Sequence, residues 1–555
     1  MVSEIEIRRA SVFYLEEVDP ESTSYGISRF ANRLHLMTRE GVIRSELLIQ
    51  EGDCFDEFLL QESIRALRGL EFLNQASAEV EALPDGSRKL MIRTQDDWTL
   101  EVSLGIAVDE GFTIEGLGVV EKNFLGTGTT LGWVRREDLE SLENGAVGAI
   151  PRIPRTSLDA SGEVGWTRTG WYADQMVRLP FRVETDHLAV RERARFRNDV
   201  FRYTGSGAED FRYALLPFDL KDGDVAIQGR VGQPGRYWLV GGGLGWEDWT
   251  FPGYPGSVLE IADRDFDAGV PATPETVALL LGQTEAQSAL RLNLALGYRG
   301  MRYTQRRGLD AVDAEQDVPV GIEVLLSAGK SVGDFGRNHV DDAKSRLSVY
   351  YGADWGRFVL GSELDVEARS VDPQGGEREY RDVLSEVDFY LYTVLNDHHT
   401  VVTRASGARG TEMSRPFPLT LGGRDGVRGY SRDAFPGAES MVFSVEERWL
   451  LDWPNSEAAD VSVTVFGDAG RMVAGEVPFG VDSGWRASVG LGLRLGFPSG
   501  SPKGRRIEFT YPLTGDRDQA VYFRYYEDVT GLLLGFADAL MERTRWGGFR
   551  PELSR

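Results

Sequence analysis

Only one cysteine, Cys54, occurs in the 555 residues. A single thiol excludes an intrachain disulfide and is too few for a thiolate zinc site, so Cys54 reads as a small, half-buried residue. Histidine is nearly as scarce, with five in all. His398 and His399 are adjacent and would face opposite sides of a strand, so they read as turn residues and no metal centre is expected. Basic residues are outnumbered, 61 against 87 acidic ones, and the net charge of −26 argues against nucleic acid, whose phosphates need a concentrated cationic footprint. No uncharged apolar run approaches the ~18 residues that a transmembrane helix needs. A membrane barrel escapes that test, because strands of ~10 residues need an apolar side chain only at every second position.

Enzyme signatures are missing too. Gly329-Lys330-Ser331 resembles the end of a phosphate loop, but Val324 stands where its first glycine belongs and the surroundings alternate like a strand. No G-x-S-x-G segment is present. Neither catalysis nor a cofactor is expected. No signal peptide follows Met1-Val2-Ser3-Glu4, and the expectation is that one was removed before this numbering begins.

What is present begins as a small mixed unit. Ile5 and Ile7 alternate with charged neighbours as in a short strand. Helices are predicted over Thr38 to Leu48, opened by Thr38 as cap, and over about Asp56 to Leu70, where Leu60, Ile64 and Leu67 share a face. Strands at Ala76 to Leu83 and Lys89 to Thr94 flank the turn-forming Pro84-Asp85-Gly86.

From about Thr99 the apolar period becomes two and stays there. Trp485, Ala487, Val489, Leu491, Leu493, Leu495 and Phe497 alternate with Arg486, Ser488, glycines and Arg494. The segments Phe358 to Val366 and Val383 to Leu395 repeat the pattern, with charges and glycines on one face. A wet lumen accommodates such a face, and aromatic residues near the segment ends suit interfacial girdles. A soluble sandwich also alternates, but its strands are shorter. The fold class expected is mainly β: a transmembrane antiparallel barrel of about 16 strands, at roughly 27 residues per strand and connection, after one small α/β domain. The divisions are 1–98, 99–530 and a tail 531–555, with a long loop at about 408–440.

Inside that loop lies Leu421-Gly422-Gly423-Arg424-Asp425-Gly426-Val427-Arg428-Gly429-Tyr430. It resembles the VRGY signature of the POTRA-barrel superfamily of outer-membrane proteins, the group of BamA, TamA and the two-partner secretion transporters. Phe466-Gly467-Asp468-Ala469-Gly470 looks like the family's F-x-D-x-G strand, and Glu446-Glu447-Arg448 like its E-x-R strand. The resemblance implies that the loop folds into the barrel and that its arginine meets the inner wall. Strand parity agrees: with Val461, Val463 and Val465 outward, Phe466 and Asp468 face inward, as do Ser444, Glu446 and Arg448. A guanidinium in a narrow lumen needs carboxylates, so Asp468 is the first expected partner of Arg428 and Glu446 the second. Glu447 faces outward and requires a place near the membrane boundary. The N-terminal region, 1–98, resembles a POTRA domain over nearly its whole length, most closely at Thr38 to Leu48, and Glu121 to Gly128 resembles the family's early barrel hairpin.

The resemblance implies an outer-membrane insertion factor whose periplasmic POTRA domain captures clients and whose first strand (about Thr99 to Val108) and last strand (about Ala520 to Glu527) part sideways. The alternatives are a two-partner-type secretion pore and a passive porin-like barrel. The partners implied are unfolded outer-membrane or secreted polypeptides, outer-membrane lipid and accessory periplasmic or lipoprotein subunits. The tail carries Leu532, Phe536 and Leu540 at helical spacing.

Overall fold

The computed structural model describes the chain apart from residues 16–19, 22, 109–111, 138–141, 206–212, 263–267, 334–337, 373–377, 418, 424–425, 432–433, 454–457, 516–521 and 529–555. The spacing noted at Leu532, Phe536 and Leu540 lies outside the described residues.

The N-terminal unit comprises β1 (Val2–Ala10), α1 (Thr23–Leu34), α2 (Glu40–Glu46), α3 (Glu57–Arg68), β2 (Leu73–Ala82) and β3 (Arg88–Asp96). Its sheet has the order β1-β3-β2, with β1 parallel and β2 antiparallel to β3. Ile43, Leu60, Ile64 and Leu67 of the helices bury against Leu90 and Ile92 of β3. Asp56 caps α3 by accepting from the Phe58 amide at 2.8 Å. Thr38 does not cap α2. The residue before that helix is Arg39, whose side chain makes no cap bond, while the buried Thr38 donates its amide to Asp96 at 2.7 Å. Helix α1 was hidden from periodicity by a polar opening that reads as loop. Cys54 is exposed rather than half-buried, because it lies in the loop that turns at Gly52 (φ 96°) beyond the reach of the core.

The barrel opens with β4 (Leu100–Val108), β5 (Phe112–Phe124), β6 (Thr129–Glu137), β7 (Leu142–Ile150), β8 (Asp159–Trp166) and β9 (Trp171–Leu179). Longer strands follow: β10 (Leu188–Thr204), β11 (Tyr213–Gln233) and β12 (Arg236–Thr250). A loop excursion carries β13 (Leu259–Ile261), β14 (Val270–Pro271) and α4 (Pro274–Leu280). The wall resumes with β15 (Gln287–Arg307), β16 (Glu315–Gly333), β17 (Asp342–Asp354), β18 (Phe358–Val371) and β19 (Glu379–Asn396). It ends with β20 (His399–Thr411), β21 (Glu439–Leu451), β22 (Asp460–Val473), β23 (Gly484–Gly496), β24 (Gly504–Pro512) and β25 (Tyr522–Asp528).

Each strand pairs antiparallel with the next, β12 pairs directly with β15, and β25 closes on β4. With the β13–β14 excursion set aside, the wall holds twenty strands among the described residues rather than about 16. The difference arises because β4 to β9 are short and tightly connected, which brings the average to about 21 residues per strand. An even count puts the end of β25 at the same rim as the N-terminal unit, here called the near rim.

Hydropathy and burial divide the strands by face. Leu292, Leu294 and Leu296 of β15 are exposed on the outside, while Arg291, Asn293 and Arg299 are buried inside. Exposed Trp238 and Trp355 flank the apolar belt at the near rim, and Trp166, Trp171 and Trp485 flank it at the far rim. No described helix is long and apolar enough to cross a membrane. At the far rim β10 to β12 extend further. There Phe218 stacks on Trp249 at 4.9 Å, and Val258, Leu280 and Phe479 close over the resulting apolar cluster.

The near rim is occupied by the N-terminal unit. Arg68 donates twice to Asp317 at the start of β16, at 2.9 and 3.1 Å. Arg152 of the β7–β8 turn reaches Glu46 at 2.9 Å, and the Glu184 amide of the β9–β10 turn donates to Glu62 at 2.7 Å. The turn between β5 and β6, within Glu121 to Gly128, joins the same contact: Asn123 donates to Thr38 at 2.8 Å and the Arg39 amide to the Gly126 carbonyl at 2.9 Å.

Candidate functional site: the inner loop and its wall

Strand β20 runs to Thr411 and β21 starts at Glu439, so the long loop is 412–438, shorter than the 408–440 expected because both strands extend into it. Its turn back into the lumen is set by apolar anchors. Phe417, Leu419, Leu421 and Val427 are buried against Leu384, Val442 and Met472 of the inner wall. Gly470 makes that approach possible: a Cβ there would lie 2.7 Å from a Val427 methyl and 2.8 Å from the Met441 carbonyl oxygen. Gly429 adopts φ 88°, a conformation that favours glycine, directly after Arg428.

The Arg428 guanidinium engages Asp468 twice, Nε to Oδ2 and Nη2 to Oδ1, both at 2.8 Å. Its Nη1 donates to Glu446 and to Glu508 at 3.1 Å each, and Nη2 to the Ser444 hydroxyl at 3.1 Å. The ring of Phe466 lies 3.5 Å beneath the guanidinium carbon. Every N–H face of the cation is therefore met, and the π-face is covered, as a desolvated guanidinium requires. Glu446 also accepts from Arg448 Nε at 2.6 Å and from Arg506 at 3.4 Å. Tyr430 donates its hydroxyl to the Thr514 carbonyl at 2.6 Å, pinning the loop to the far end of β24.

The structure thus brings Val427, Arg428, Gly429 and Tyr430 together with Phe466, Asp468, Gly470, Glu446 and Arg448 in one cluster. Glu447 faces outward near the near rim, where His399 stands 2.7 Å from its carboxylate and stacks on Trp449 at 5.3 Å. Two members of the cluster, and one loop arginine that contacts the wall elsewhere, escaped the sequence reading. Glu508 and Arg506 alternate with Ile507 and Phe509, so parity alone could have turned both inward. Arg415 sits in a loop without period, yet it crosses to Glu247 of β12 at 3.2 Å and to Gln287 at 3.1 Å. No local pattern signals such a contact.

The wall has one weak join. Among the described residues β25 and β4 share three residue pairs, Phe523 with Val108, Arg524 with Ala107 and Tyr525 with Ile106. Every other neighbouring pair of wall strands shares at least seven. Beneath it, Lys503 in the turn before β24 lies 2.9 Å from Glu101 of β4 and 3.5 Å from Asp97.

Residues 384–526, from β19 to β25, match the Omp85 superfamily domain. No curated protein matches the chain. Among solved structures, the chain is similar to BamA from Haemophilus ducreyi lacking POTRA domains 1–3, at 12% identity and a TM-score of 0.37 over 94% of this chain and 84% of that one. It is also similar to CdiB from Acinetobacter baumannii (12% identity, TM-score 0.42, 95% and 73% covered) and CdiB from Escherichia coli (14%, 0.42, 95% and 76%). The matched residues contain Arg428 and all of its wall partners. The chain is a closed antiparallel β-barrel whose residues 384–526 match the Omp85 superfamily domain, a domain of bacterial outer-membrane barrels.

Proposed function

We propose that this protein inserts client polypeptides into the outer membrane by parting β25 from β4, with the N-terminal unit acting in the periplasm as a POTRA domain that delivers them. The observation that supports this reading is the join of three pairs among the described residues, against seven or more at every other junction. A strand edge exposed by so little unpairing is a template on which a client strand can form its own ladder. Free energy for the step comes from client folding, so no nucleotide is needed. The β2 edge of the N-terminal sheet, which among the described residues pairs with β3 alone, offers the same kind of backbone template before the client reaches the wall. The inner loop, held by Arg428, keeps the barrel in shape and contributes no chemistry.

A steady secretion pore fits less well, because loop 412–438 braces the lumen from β12 to β22 through Arg415 and Arg428. Outer-membrane lipid is the medium of the reaction, and accessory periplasmic or lipoprotein subunits are further partners under this reading.

The test is a reversible lock. Ala107 and Arg524 are register partners across the join, and directly opposed residues of antiparallel strands have Cα atoms about 4.5–5.5 Å apart, within disulfide range. Ala107→Cys with Arg524→Cys, in a Cys54→Ser background, is expected to abolish acceleration of client-barrel folding in liposomes until reductant is added. Full activity of the oxidised protein would sink the lateral mechanism.

A further inference from the structure

We propose that the turn 308–314 is a stopper seated in a polypeptide-binding slot on the inner wall, and that the slot takes a turn-forming segment bearing leucine followed by an acidic residue when this turn withdraws. The turn joins β15 to β16 at the near rim, where a two-residue hairpin would suffice: Arg307 already faces Glu315 in register. Instead it has seven residues, and Leu309, Ala311, Val312 and Ala314 are all buried. Rim turns ordinarily carry polar, solvated residues.

The buried side chains point to where the turn goes. Leu309 packs among Val359, Tyr390, Tyr392 and Val402, all from the inward faces of β18 to β20. Arg448 of β21 donates to the Leu309 carbonyl, and Arg494 of β23 to the carbonyl of Asp310. The Tyr392 hydroxyl donates to the Asp310 carboxylate. Val312 lies beside Gly496, at the base of β23. The turn therefore crosses the lumen from β15–β16 to the wall that holds Arg428, and Arg448 connects the two insertions through Glu446.

The recognition is chemically general. Two guanidinium groups grip main-chain carbonyls of consecutive residues, an interaction that any polypeptide supplies. Selectivity comes from one apolar seat and one phenol that favours a carboxylate. A cavity of about 490 Å³ lies against the turn and is lined by Leu309, Val312, Arg448 and Arg494, together with His398 of the near-rim β19–β20 turn. A segment arriving at that rim thus has space beside the turn it replaces. The identity of the incoming ligand as a client rests on the insertion reading above, whereas closure of the lumen by the turn does not.

Planar-bilayer conductance of the full chain tests both halves. Replacing residues 308–314 by Asn-Gly is expected to raise unitary conductance several-fold. The synthetic peptide Gly-Leu-Asp-Ala-Val-Asp-Ala, added from the near-rim side, is expected to block the opened variant. Arg494→Gln in the shortened background should weaken block about ten-fold, the effect of losing one charge-assisted hydrogen bond. If the shortened protein fails to assemble, Leu309→Asp in the intact turn is the substitute and should raise conductance likewise. Unchanged conductance in the assembled variants overturns the stopper, and opening without peptide block overturns the slot. Folding of client barrels, measured separately in liposomes, reports on the insertion reading, so the two cannot fail together unnoticed.

Discussion

Arg415 and Glu247 meet across the lumen, 3.2 Å between Nη2 and Oε1, although 168 residues separate them in sequence. Glu247 also receives Arg291 at 2.7 Å and Lys344 at 2.8 Å. The loop thus has two cationic anchors of unequal consequence. Without Arg415 the Glu247 carboxylate keeps two cations, whereas Asp468 loses its doubly bonded guanidinium when Arg428 is removed.

Arg428→Ala is therefore expected to cost about 3–5 kcal/mol, the penalty of stranding buried carboxylates. Arg415→Ala should cost about 1–3 kcal/mol, the loss of hydrogen bonds to a charged group. Thermal unfolding in lipid measures both. Arg428→Lys should recover only part of the loss, because an ammonium cannot match the two-point contact with Asp468. An Arg415 variant less stable than the Arg428 variant would refute this ranking.

The difference between the two arginines also marks what a sequence can disclose. Arg428 lies in a segment whose residue types are fixed by close approach, with Gly429 at positive φ and Gly470 opposite, and its partners sit on strands whose parity is readable. Glu508 was equally readable from Ile507 and Phe509. Arg415 and Leu309 lie in connections, where no period exists and contacts depend on which distant strands the chain reaches. Strand number was misread for a related reason: connection length sets it, and the tight hairpins from β4 to β9 do not announce themselves in an average. Helix α1 opens with polar residues, so its amphipathic signal starts late.

Gly470→Ala is expected to loosen the loop without touching an ionic partner. The added methyl would lie 2.8 Å from the Met441 carbonyl oxygen, which is backbone and cannot step aside. Overpacking of this kind costs about 1–3 kcal/mol. Limited proteolysis within 412–438 should quicken accordingly. Gly467→Ala is the control on the same strand, since the nearest atom to a Cβ there is the Ser488 carbonyl oxygen at 3.8 Å. Equal protease resistance in both variants would show that the loop does not depend on this approach.

The clasp below the join carries a pH signature. Burial pushes the Asp97 carboxyl above the ordinary aspartate range; Lys503, the Trp98 amide and the Ser501 hydroxyl pull it down without cancelling that effect. A raised value means that the native state holds the proton more tightly than the unfolded chain does. Its stabilising contribution is complete below about 3.9, the unfolded aspartate value, and drains away as pH rises through the native one. Hydrogen exchange at the base of β4 should therefore show less protection, relative to an Asp97→Asn variant, as pH climbs from 4 to 8. The comparison with the variant removes the contributions of other carboxylates. Lys503→Met should steepen the trend, because the remaining partners are neutral and the native value moves further up. A difference that stays flat across the range would mean that Asp97 is ionised in the clasp throughout, and that opening of the β25–β4 join is not tied to its proton.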